Sequence, residues 1–264
     1  MKIIAIMNLK GGVAKTVTAV NLAAILARDH KQSVLVIDAD SQANATEFLG
    51  GGREGHSLAS LLRIPRLERT DFTVSFEAKQ AICNSSVDGV DLLPADDSLM
   101  DLDLSKAEAG EAWVECLREL RQGGGFDEYS FVLIDCPPAF NAAAAAALLA
   151  ADQVIIPIKL DAFSLRGLTN LMRQIRNMQR LNPQLQILGI LPTMWRRSDE
   201  AEDAALALRL HDLPLLPRVR YSATVDRMTY RQRPLTESSP HSGALKDYRA
   251  VCYRLMEGGA RRGL

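Results

Sequence analysis

The sequence predicts an α/β fold with a doubly wound, mostly parallel β-sheet flanked by helices. Short β-rich runs alternate with longer segments of helical periodicity, which is typical of βαβ units. Several short runs are apolar nearly throughout, as strands covered by helices on both faces must be. A length of 264 residues suits one large domain with a substantial core, so we expect a single domain over residues 1–264.

Five strands are predicted from apolar and β-branched runs bounded by polar residues or glycine. They cover residues 2–7, 33–37, 131–134, 153–158 and 186–191. Apolar residues recur with helical spacing at 16–28, 97–109, 111–121, 141–150, 164–180, 199–210 and 243–256. Residues 50–90 are predicted to be loop-like, because Gly50, Gly51, Gly52 and Gly55 interrupt any periodicity.

Charge and cysteine content point to no special class of protein. The chain has 31 Lys+Arg and 32 Asp+Glu, so a net charge of -1 favours neither a nucleic-acid nor a membrane partner. The cysteines are far apart, with no pair at the spacing of a zinc site or a redox motif. They are predicted to be reduced thiols of a cytoplasmic protein: Cys83, Cys116, Cys136 and Cys252.

Two apolar stretches are too short to act as targeting or membrane segments. Residues 1–7 lack the length and cleavage region of a secretory signal. Residues 142–151 stop at Asp152, below the roughly 20 residues that span a bilayer. We therefore expect neither secretion nor a membrane-spanning helix.

A glycine-containing loop, Lys10-Gly11-Gly12-Val13-Ala14-Lys15-Thr16, joins the first predicted strand to the first helix. Adjacent glycines let backbone N–H groups converge on phosphate oxygens, and the helix N-terminus adds a favourable dipole. In such a loop Lys15 reaches the β- and γ-phosphates and the Thr16 hydroxyl ligates Mg²⁺. Ala14 replaces a glycine of the common pattern, so we expect a negative φ there. The alternative is a glycine-rich turn with two solvated lysines.

Two other predicted strands end in carboxylates. Asp38 and Asp40 follow residues 34–37, and Asp135 follows residues 131–134. The carboxyl ends of parallel strands form the edge where open α/β sheets bind ligands. Asp135 is predicted to hold Mg²⁺ through water. A helix-capping turn is the alternative for Asp38 and Asp40, and Cys136 is predicted to be a packed thiol rather than a nucleophile.

Lys10 at the start of K-G-G-V-x-K-T is the hallmark of a deviant Walker A loop, and here the sequence resembles the ParA/Soj/MinD family of P-loop ATPases. Its partition ATPases are the most similar branch. Residues 38–46 resemble the family segment D-x-D-P-Q-G-N-A-T, with Ser41 and Ala43 replacing proline and glycine. Residues 131–138 resemble its Walker B element. Similar stretches continue to residue 248, so the resemblance covers nearly the whole chain apart from 50–90.

This resemblance implies an ATPase that uses ATP and Mg²⁺. It assigns Lys10 to the nucleotide of a partner subunit, and Asp38 and Asp40 to the attacking water and the metal shell. Val17 replaces a threonine that would contact the α-phosphate. The implied phosphate-binding residues are Lys10, Gly11, Gly12, Val13, Ala14, Lys15, Thr16 and Val17, and the residues implied around adenine are Thr193, Met194, Pro217 and Arg218. The implied catalytic residues are Lys10, Lys15, Asp38 and Asp40. The implied metal ligands are Thr16, Asp40 and Asp135.

Arginines are concentrated in the second half of the chain. Arginines on a dimer surface could neutralise phosphates without reading bases, which gives salt-sensitive, sequence-independent DNA binding. The family's partition members bind DNA in this way when ATP is bound. The predicted contacts are Arg166, Arg173, Arg196, Arg197, Arg209, Arg220, Arg227 and Arg231. A solvated face partly balanced by nearby acidic residues is the alternative.

The resemblance also implies partners and a location. We expect a homodimer with ATP, non-specific DNA, a ParB-like centromere-binding or adaptor protein that stimulates hydrolysis, and a cytoplasmic, nucleoid-associated location with no membrane. Three alternatives remain at this stage. They are a MinD-like membrane-associated positioning ATPase with an amphipathic C-terminal anchor, a metabolic enzyme such as an ATP-dependent ligase, and a nucleotide-binding regulator with little hydrolysis.

Overall fold

The computed structural model describes residues 1–51, 56–64, 68, 70–101, 107–122, 124–210 and 213–257. Its strands are β1 (Lys2–Ile6), β2 (Val34–Asp38), β3 (Cys83–Asn84), β4 (Val90–Leu93), β5 (Phe131–Asp135), β6 (Gln153–Ile158) and β7 (Gln186–Pro192). They form one sheet in the order β3-β4-β2-β5-β1-β6-β7, in which the only antiparallel pair among these described strands is β3–β4. The predicted doubly wound, mostly parallel α/β fold is confirmed.

The helices alternate with these strands and extend beyond them. They are α1 (Lys15–His30), α2 (Asn44–Phe48), α3 (Leu58–Leu62), α4 (Asp71–Ala81), α5 (Ser98–Asp101), α6 (Ala107–Gln122), α7 (Ala142–Ala150), α8 (Ala162–Gln179), α9 (Asp199–Leu210), α10 (Ala223–Arg231), α11 (Leu235–Ser238) and α12 (Gly243–Met256). The predicted break near Gly110 is wrong, because α6 runs through it. Residues 102–106 of the predicted 97–109 helix lie outside the described residues.

The prediction that residues 50–90 are loop-like is wrong for much of the segment. The described residues there form α3, α4 and β3, and β4 begins at Val90. Helix α4 buries Val74, Ala78 and Ala81 at helical spacing, but Phe76 on the same helix is 52% exposed. That exposed aromatic residue obscures the apolar stripe in the sequence.

The sheet is covered on both faces, which explains the apolar character of its central strands. In β1, Ile3 and Ala5 pack against α6, α7 and α8, whereas Ile4 and Ile6 pack against α1 and α12. All four side chains are fully buried. Alternate residues of one strand therefore serve two separate apolar layers.

The apolar stripe near the C-terminus belongs to the core. Its side chains, each at most 1% exposed, are Leu245, Tyr248, Val251, Cys252 and Leu255. They pack in the layer that contains α1, so the stripe is occupied by intramolecular contacts. Within the described part of the chain, no helix is long and apolar enough to cross a bilayer.

Candidate nucleotide site

The candidate site lies at the carboxyl ends of three neighbouring strands. The register places Ile6 of β1 beside Asp135 of β5, and Asp135 beside Asp38 of β2. The loop after β1 turns into α1 above these ends. A cavity of about 490 Å³ opens there, between this loop, Asp40 and helix α10. The order of strands in the sheet thus brings together residues that are more than 100 positions apart in sequence.

The glycine loop makes an open anion-binding surface. Gly12 has φ of 69°, and a Cβ added at Gly11 or Gly12 would meet no heavy atom within 4 Å. The expectation of a negative φ at Ala14 is wrong, since this residue has φ of 67° and ψ of 37°. Its carbonyl oxygen accepts the Thr18 amide at 3.0 Å, which begins α1. The left-handed turn at Ala14 therefore stands between the loop and the helix, beside the cavity that Gly11, Gly12 and Ala14 line.

Lys15 is the buried cation of the loop. Its side chain lines the cavity, the residue is 8% exposed, and Nζ donates to the Lys10 carbonyl oxygen at 3.3 Å. Burial lowers the pKa of Lys15, while the nearby carboxylates of Asp135 and Asp40 oppose this shift. A buried ammonium beside a glycine loop at a helix N-terminus is suited to a polyanion such as a triphosphate.

Thr16 and Asp135 form a donor set that fits a hydrated Mg²⁺. The Thr16 hydroxyl donates to Asp135 Oδ2 at 2.6 Å. The other oxygen, Asp135 Oδ1, is buried without a hydrogen-bond partner among the described residues. Burial, followed by the charge of Asp38, raises the pKa of Asp135 to about 8. A hydroxyl beside an unsatisfied, buried carboxylate oxygen is the oxygen-only environment that Mg²⁺ prefers.

The two carboxylates after β2 have different positions. Asp38 is fully buried: its Oδ2 accepts the Thr46 amide at 2.8 Å and the Thr46 hydroxyl at 2.9 Å, and its Oδ1 accepts the Asp40 amide. Burial raises the pKa of Asp38 to about 6 despite these bonds. Asp40 lines the cavity, and its Oδ1 accepts the Gln42 amide at 3.1 Å. Asp38 therefore organises the segment, and Asp40 faces the cavity.

Lys10 lies on the rim rather than inside the loop. Its side chain is 42% exposed, and Nζ lies 2.9 Å from a carboxylate oxygen of Asp161, in the turn after β6. The Lys10 amide donates to Asn8 Oδ1, and Asn8 Nδ2 donates to the Pro157 carbonyl oxygen at 2.6 Å. No sequence motif indicates Asn8 or Asp161, because their contacts depend on β1 and β6 being neighbours in the sheet.

The opposite wall is the side predicted to enclose adenine. The Thr193 hydroxyl donates to the Val13 carbonyl oxygen at 3.1 Å, and Met194, with φ of 50°, lines the cavity. Pro217 and Arg218 are not among the described residues that line it. Their place is taken by residues slightly further along the chain and in α10, which are Val219, Arg220, Tyr221, Ser222, Val225 and Thr229.

Arg218 has other neighbours. Its guanidinium lies 4.6 Å from the ring centroid of Trp195 and forms an ion pair with Glu202 at 2.9 Å. This arrangement directs the arginine towards α9. Of the four residues predicted to surround adenine, Thr193 and Met194 therefore line the cavity, and Arg218 faces α9.

The arginines predicted to contact DNA lie in several environments. Arg220 forms two side-chain hydrogen bonds to Asp247, at 2.6 and 2.8 Å. Arg196 lies over the Tyr221 ring, 3.9 Å from its centroid. The side chain of Arg166 lies outside the described part of the structure. The exposed members of the set are Arg173, Arg196, Arg197, Arg209, Arg220, Arg227 and Arg231.

Known proteins share this sequence pattern. A family model described as an AAA domain matches residues 1–187. The chromosome partitioning protein ParA of Caulobacter vibrioides is 36% identical over 218 residues, which cover 80% of this chain and 76% of that protein. The similarity thus includes the glycine loop and both acidic strand ends.

Two solved structures share the fold over nearly the whole chain. The ATP complex of Cyanothece McdA(D38A) has a TM-score of 0.80 and 25% identity, and covers 100% of this chain and 99% of that one. Cobyrinic acid a,c-diamide synthase from Mycobacterium smegmatis with bound ADP and magnesium has a TM-score of 0.75 and 26% identity, and covers 97% of this chain and 94% of that one. The fold is therefore one on which adenine nucleotides bind.

Proposed function

Given that this chain belongs to the ParA/MinD family of P-loop ATPases, we propose that its ATP-bound form dimerises, binds DNA without sequence preference and drives partition or cargo positioning. ATP and Mg²⁺ are its ligands, in agreement with the nucleotide and metal complexes of its structural relatives. Hydrolysis in the dimer would weaken the interface that ATP assembles, so that the nucleotide acts as a switch.

The glycine loop and Lys15 hold the triphosphate. Backbone amides between Gly11 and Thr16 would bind the phosphate oxygens, and Lys15, which lines the cavity, would place a cation near the β- and γ-phosphates. Thr16 and Asp135 would hold Mg²⁺, which neutralises charge that develops on the phosphate oxygens. Because none of the residues that the structure describes forms a hydrogen bond with the buried Asp135 Oδ1, metal binding would give this atom an electrostatic partner.

Asp40 is the carboxylate best placed to orient a water for attack. It is the member of the Asp38/Asp40 pair that faces the cavity. Phosphoryl transfer to water requires alignment and charge neutralisation more than covalent catalysis. Asp38 positions Asp40 by accepting its amide at 3.1 Å and by anchoring Thr46.

The different positions of the two lysines carry the proposal of a nucleotide-dependent dimer. Lys15 is 8% exposed and points into its own loop, whereas the Lys10 side chain is 42% exposed and lies at the rim beside Asp161. A half-exposed ion pair of this kind is worth at most about 1 kcal/mol, so Lys10 can exchange Asp161 for a phosphate at little cost. A second subunit facing this rim would supply that phosphate.

Dimerisation tests this part of the proposal directly. The mass of the protein is measured by light scattering with a non-hydrolysable ATP analogue and Mg²⁺. Lys15→Ala is expected to abolish nucleotide binding, whereas Lys10→Ala binds nucleotide as a monomer and fails to dimerise. Lys246→Ala, at an exposed position of α12, is the matched control and should dimerise normally. A Lys10→Ala protein that dimerises like the wild type would refute the role of this lysine.

DNA binding is supported by exposed arginines, although the net charge of the chain is only -1. The exposed members without a carboxylate partner among the described residues are Arg173, Arg196, Arg197, Arg209, Arg227 and Arg231. Co-sedimentation with DNA in ATP, in ADP and without nucleotide tests both the ligand and the switch. Equal binding in all three states, or no binding at low salt, would count against the proposal.

Stimulation by a ParB-like or adaptor protein and a nucleoid-associated cytoplasmic location are further parts of this proposal. Phosphate release is expected to be slow in the protein alone and faster with DNA and the partner. Fast release that ignores both would favour a metabolic ATPase instead. The similarity to cobyrinic acid a,c-diamide synthase makes an ATP-dependent ligase the specific alternative, and hydrolysis that depends on a small carboxylic acid would support it.

A further inference from the structure

Helix α10 presents three faces to three different environments. Met228 is fully buried in the apolar layer of α1, and its sulfur accepts the Asn21 side-chain amide at 3.3 Å. The second face borders the nucleotide cavity through Val225, Asp226 and Thr229, followed by Gln232 at the end of the helix. The third face, Arg227, Tyr230 and Arg231, points to solvent. One short helix therefore connects the nucleotide cavity to the surface.

The solvent face combines an unusually exposed aromatic ring with two cations. Tyr230 is 91% exposed, compared with 69% for Leu181, the next most exposed large apolar residue of the described chain. Arg227 and Arg231 have no carboxylate partner among the described residues, whereas Arg218 pairs with Glu202 at 2.9 Å. The face is positively charged and offers apolar area that the folded monomer does not bury.

This chemistry fits the backbone of duplex DNA. Arg227 and Arg231 are one helical turn apart, about 6 Å along the axis, so both guanidinium groups lie on one side of α10 and can reach neighbouring phosphates. Tyr230 lies within one helical turn of both, on the flank nearer Arg227, and can pack against a sugar or a groove edge.

The C-terminal end of α10 is also connected to the segment that carries the cavity-facing carboxylate. Gln232 Nε2 donates to Glu47 Oε1 at 2.8 Å. Glu47 lies in α2, and its backbone amide donates to the Ala43 carbonyl oxygen at 2.9 Å. The Ala43 backbone amide donates in turn to the Asp40 carbonyl oxygen, also at 2.9 Å. A continuous chain of hydrogen bonds therefore runs from the phosphate end of the cavity to the end of α10.

We infer that α10 is a DNA contact of this chain, in which Arg227, Tyr230 and Arg231 touch the duplex and the Glu47–Gln232 hydrogen bond makes the contact sensitive to the bound nucleotide. This inference rests on the proposed function and specifies where the DNA lies. It adds Tyr230, which no motif indicated, and it separates the arginines of α10 from Arg220, which is held by Asp247.

The affinity for a short fluorescent duplex, measured by anisotropy with ATP analogue over a range of salt concentrations, tests the contact. Arg227→Ala/Arg231→Ala is expected to lower the slope of log K against log salt by about 1.8, since each phosphate contact contributes about 0.9. Tyr230→Ala removes apolar area from the contact and is expected to weaken binding about 5-fold, which corresponds to the loss of roughly 40 Å² of buried apolar surface, and Tyr230→Phe to retain most of the affinity. The controls are Tyr253→Ala, at a 59% exposed tyrosine of α12, and Arg118→Ala, at an exposed position of α6.

The outcomes separate this inference from the proposed function. Wild-type protein that binds no DNA with ATP would overturn both. Wild-type binding with unchanged affinity and salt slope in the α10 variants would overturn the inference alone. The same variants are also measured against polyglutamate as an acidic-protein probe. If Arg227→Ala/Arg231→Ala loses binding to polyglutamate but keeps its binding to DNA, the face is assigned to an acidic protein and the inference is likewise overturned.

The dependence of DNA affinity on the bound nucleotide is tested with a variant of Glu47. Glu47→Ala removes the acceptor for Gln232, and at saturating nucleotide it is expected to reduce the ratio between the DNA affinities in ATP and in ADP by at least about 3-fold. An unchanged ratio would overturn the nucleotide-sensitive part of the inference.

Discussion

Replacing Ala14 by glycine should stabilise this protein. Ala14 has φ of 67°, in the left-handed region, where a residue with a Cβ is strained by about 1–2 kcal/mol. Glycine removes that strain but increases the entropy of the unfolded chain, which costs about 0.4–1 kcal/mol. The difference predicts that Ala14→Gly raises the free energy of unfolding by about 0.5–1 kcal/mol.

The control is the same substitution in a right-handed helix. Ala250 lies on the exposed side of α12, and Ala250→Gly should lower the free energy of unfolding by about 1 kcal/mol. Urea denaturation followed by circular dichroism, without nucleotide, measures both variants. The two substitutions should therefore differ in sign and be separated by roughly 1.5–2 kcal/mol. Equal destabilisation by both would refute the strain assigned to Ala14.

Three other predictions concern the surroundings of the cavity. Thr46→Val removes the hydroxyl that donates to Asp38 and that accepts the Ala95 amide at 2.8 Å. It should therefore lower the free energy of unfolding by about 3 kcal/mol. A loss below about 1 kcal/mol in urea denaturation would contradict this prediction. Cys83 is the partly exposed thiol and the other three are buried, so a thiol reagent should label one cysteine quickly and the rest only after unfolding; rapid labelling of two or more thiols in the native protein would contradict it. Val17→Thr introduces a hydroxyl at a position that lines the cavity. It should tighten ATP binding by up to about 10-fold, as measured by calorimetry. Weaker binding would argue against an α-phosphate contact at this position.

The sequence predicted those parts of the fold that depend on local patterns. The central strands are apolar throughout, and each of the five predicted strands is present in the structure with its ends shifted by at most one residue. Strand β4 was missed because Val90–Leu93 is only four residues long and follows a weakly patterned segment. Its burial depends on pairing with β2, which is a long-range property that no short window contains.

The phosphate side of the site was easier to predict than the base side. Lys15, Thr16, Asp40 and Asp135 occupy motifs whose positions follow from strand ends, and the parallel register brings those ends together. Helix α10 was not predicted, because it is only nine residues long and mostly polar, and Met228 is the single residue that it buries. So short a segment with so few apolar residues resembles a loop in the sequence.

The residues with a strained backbone are concentrated around the candidate site rather than in the rest of the fold. Of the residues other than glycine with positive φ in the described chain, Lys31 ends α1 far from the cavity, whereas Ala14, Ala43, Met194 and Gln232 line it or adjoin residues that do. Each such residue costs of order 1–3 kcal/mol and persists only where the surrounding structure fixes it. Here the buried sheet fixes the loop ends, and four of the five strained turns lie at the cavity or directly beside residues that line it. Substitutions that relax these turns should therefore stabilise the free protein and loosen the geometry that holds a nucleotide. The ATP affinity of Ala14→Gly, measured together with its stability, tests this. Weaker ATP binding means that the strain at Ala14 serves binding, and unchanged ATP binding means that the strain is incidental.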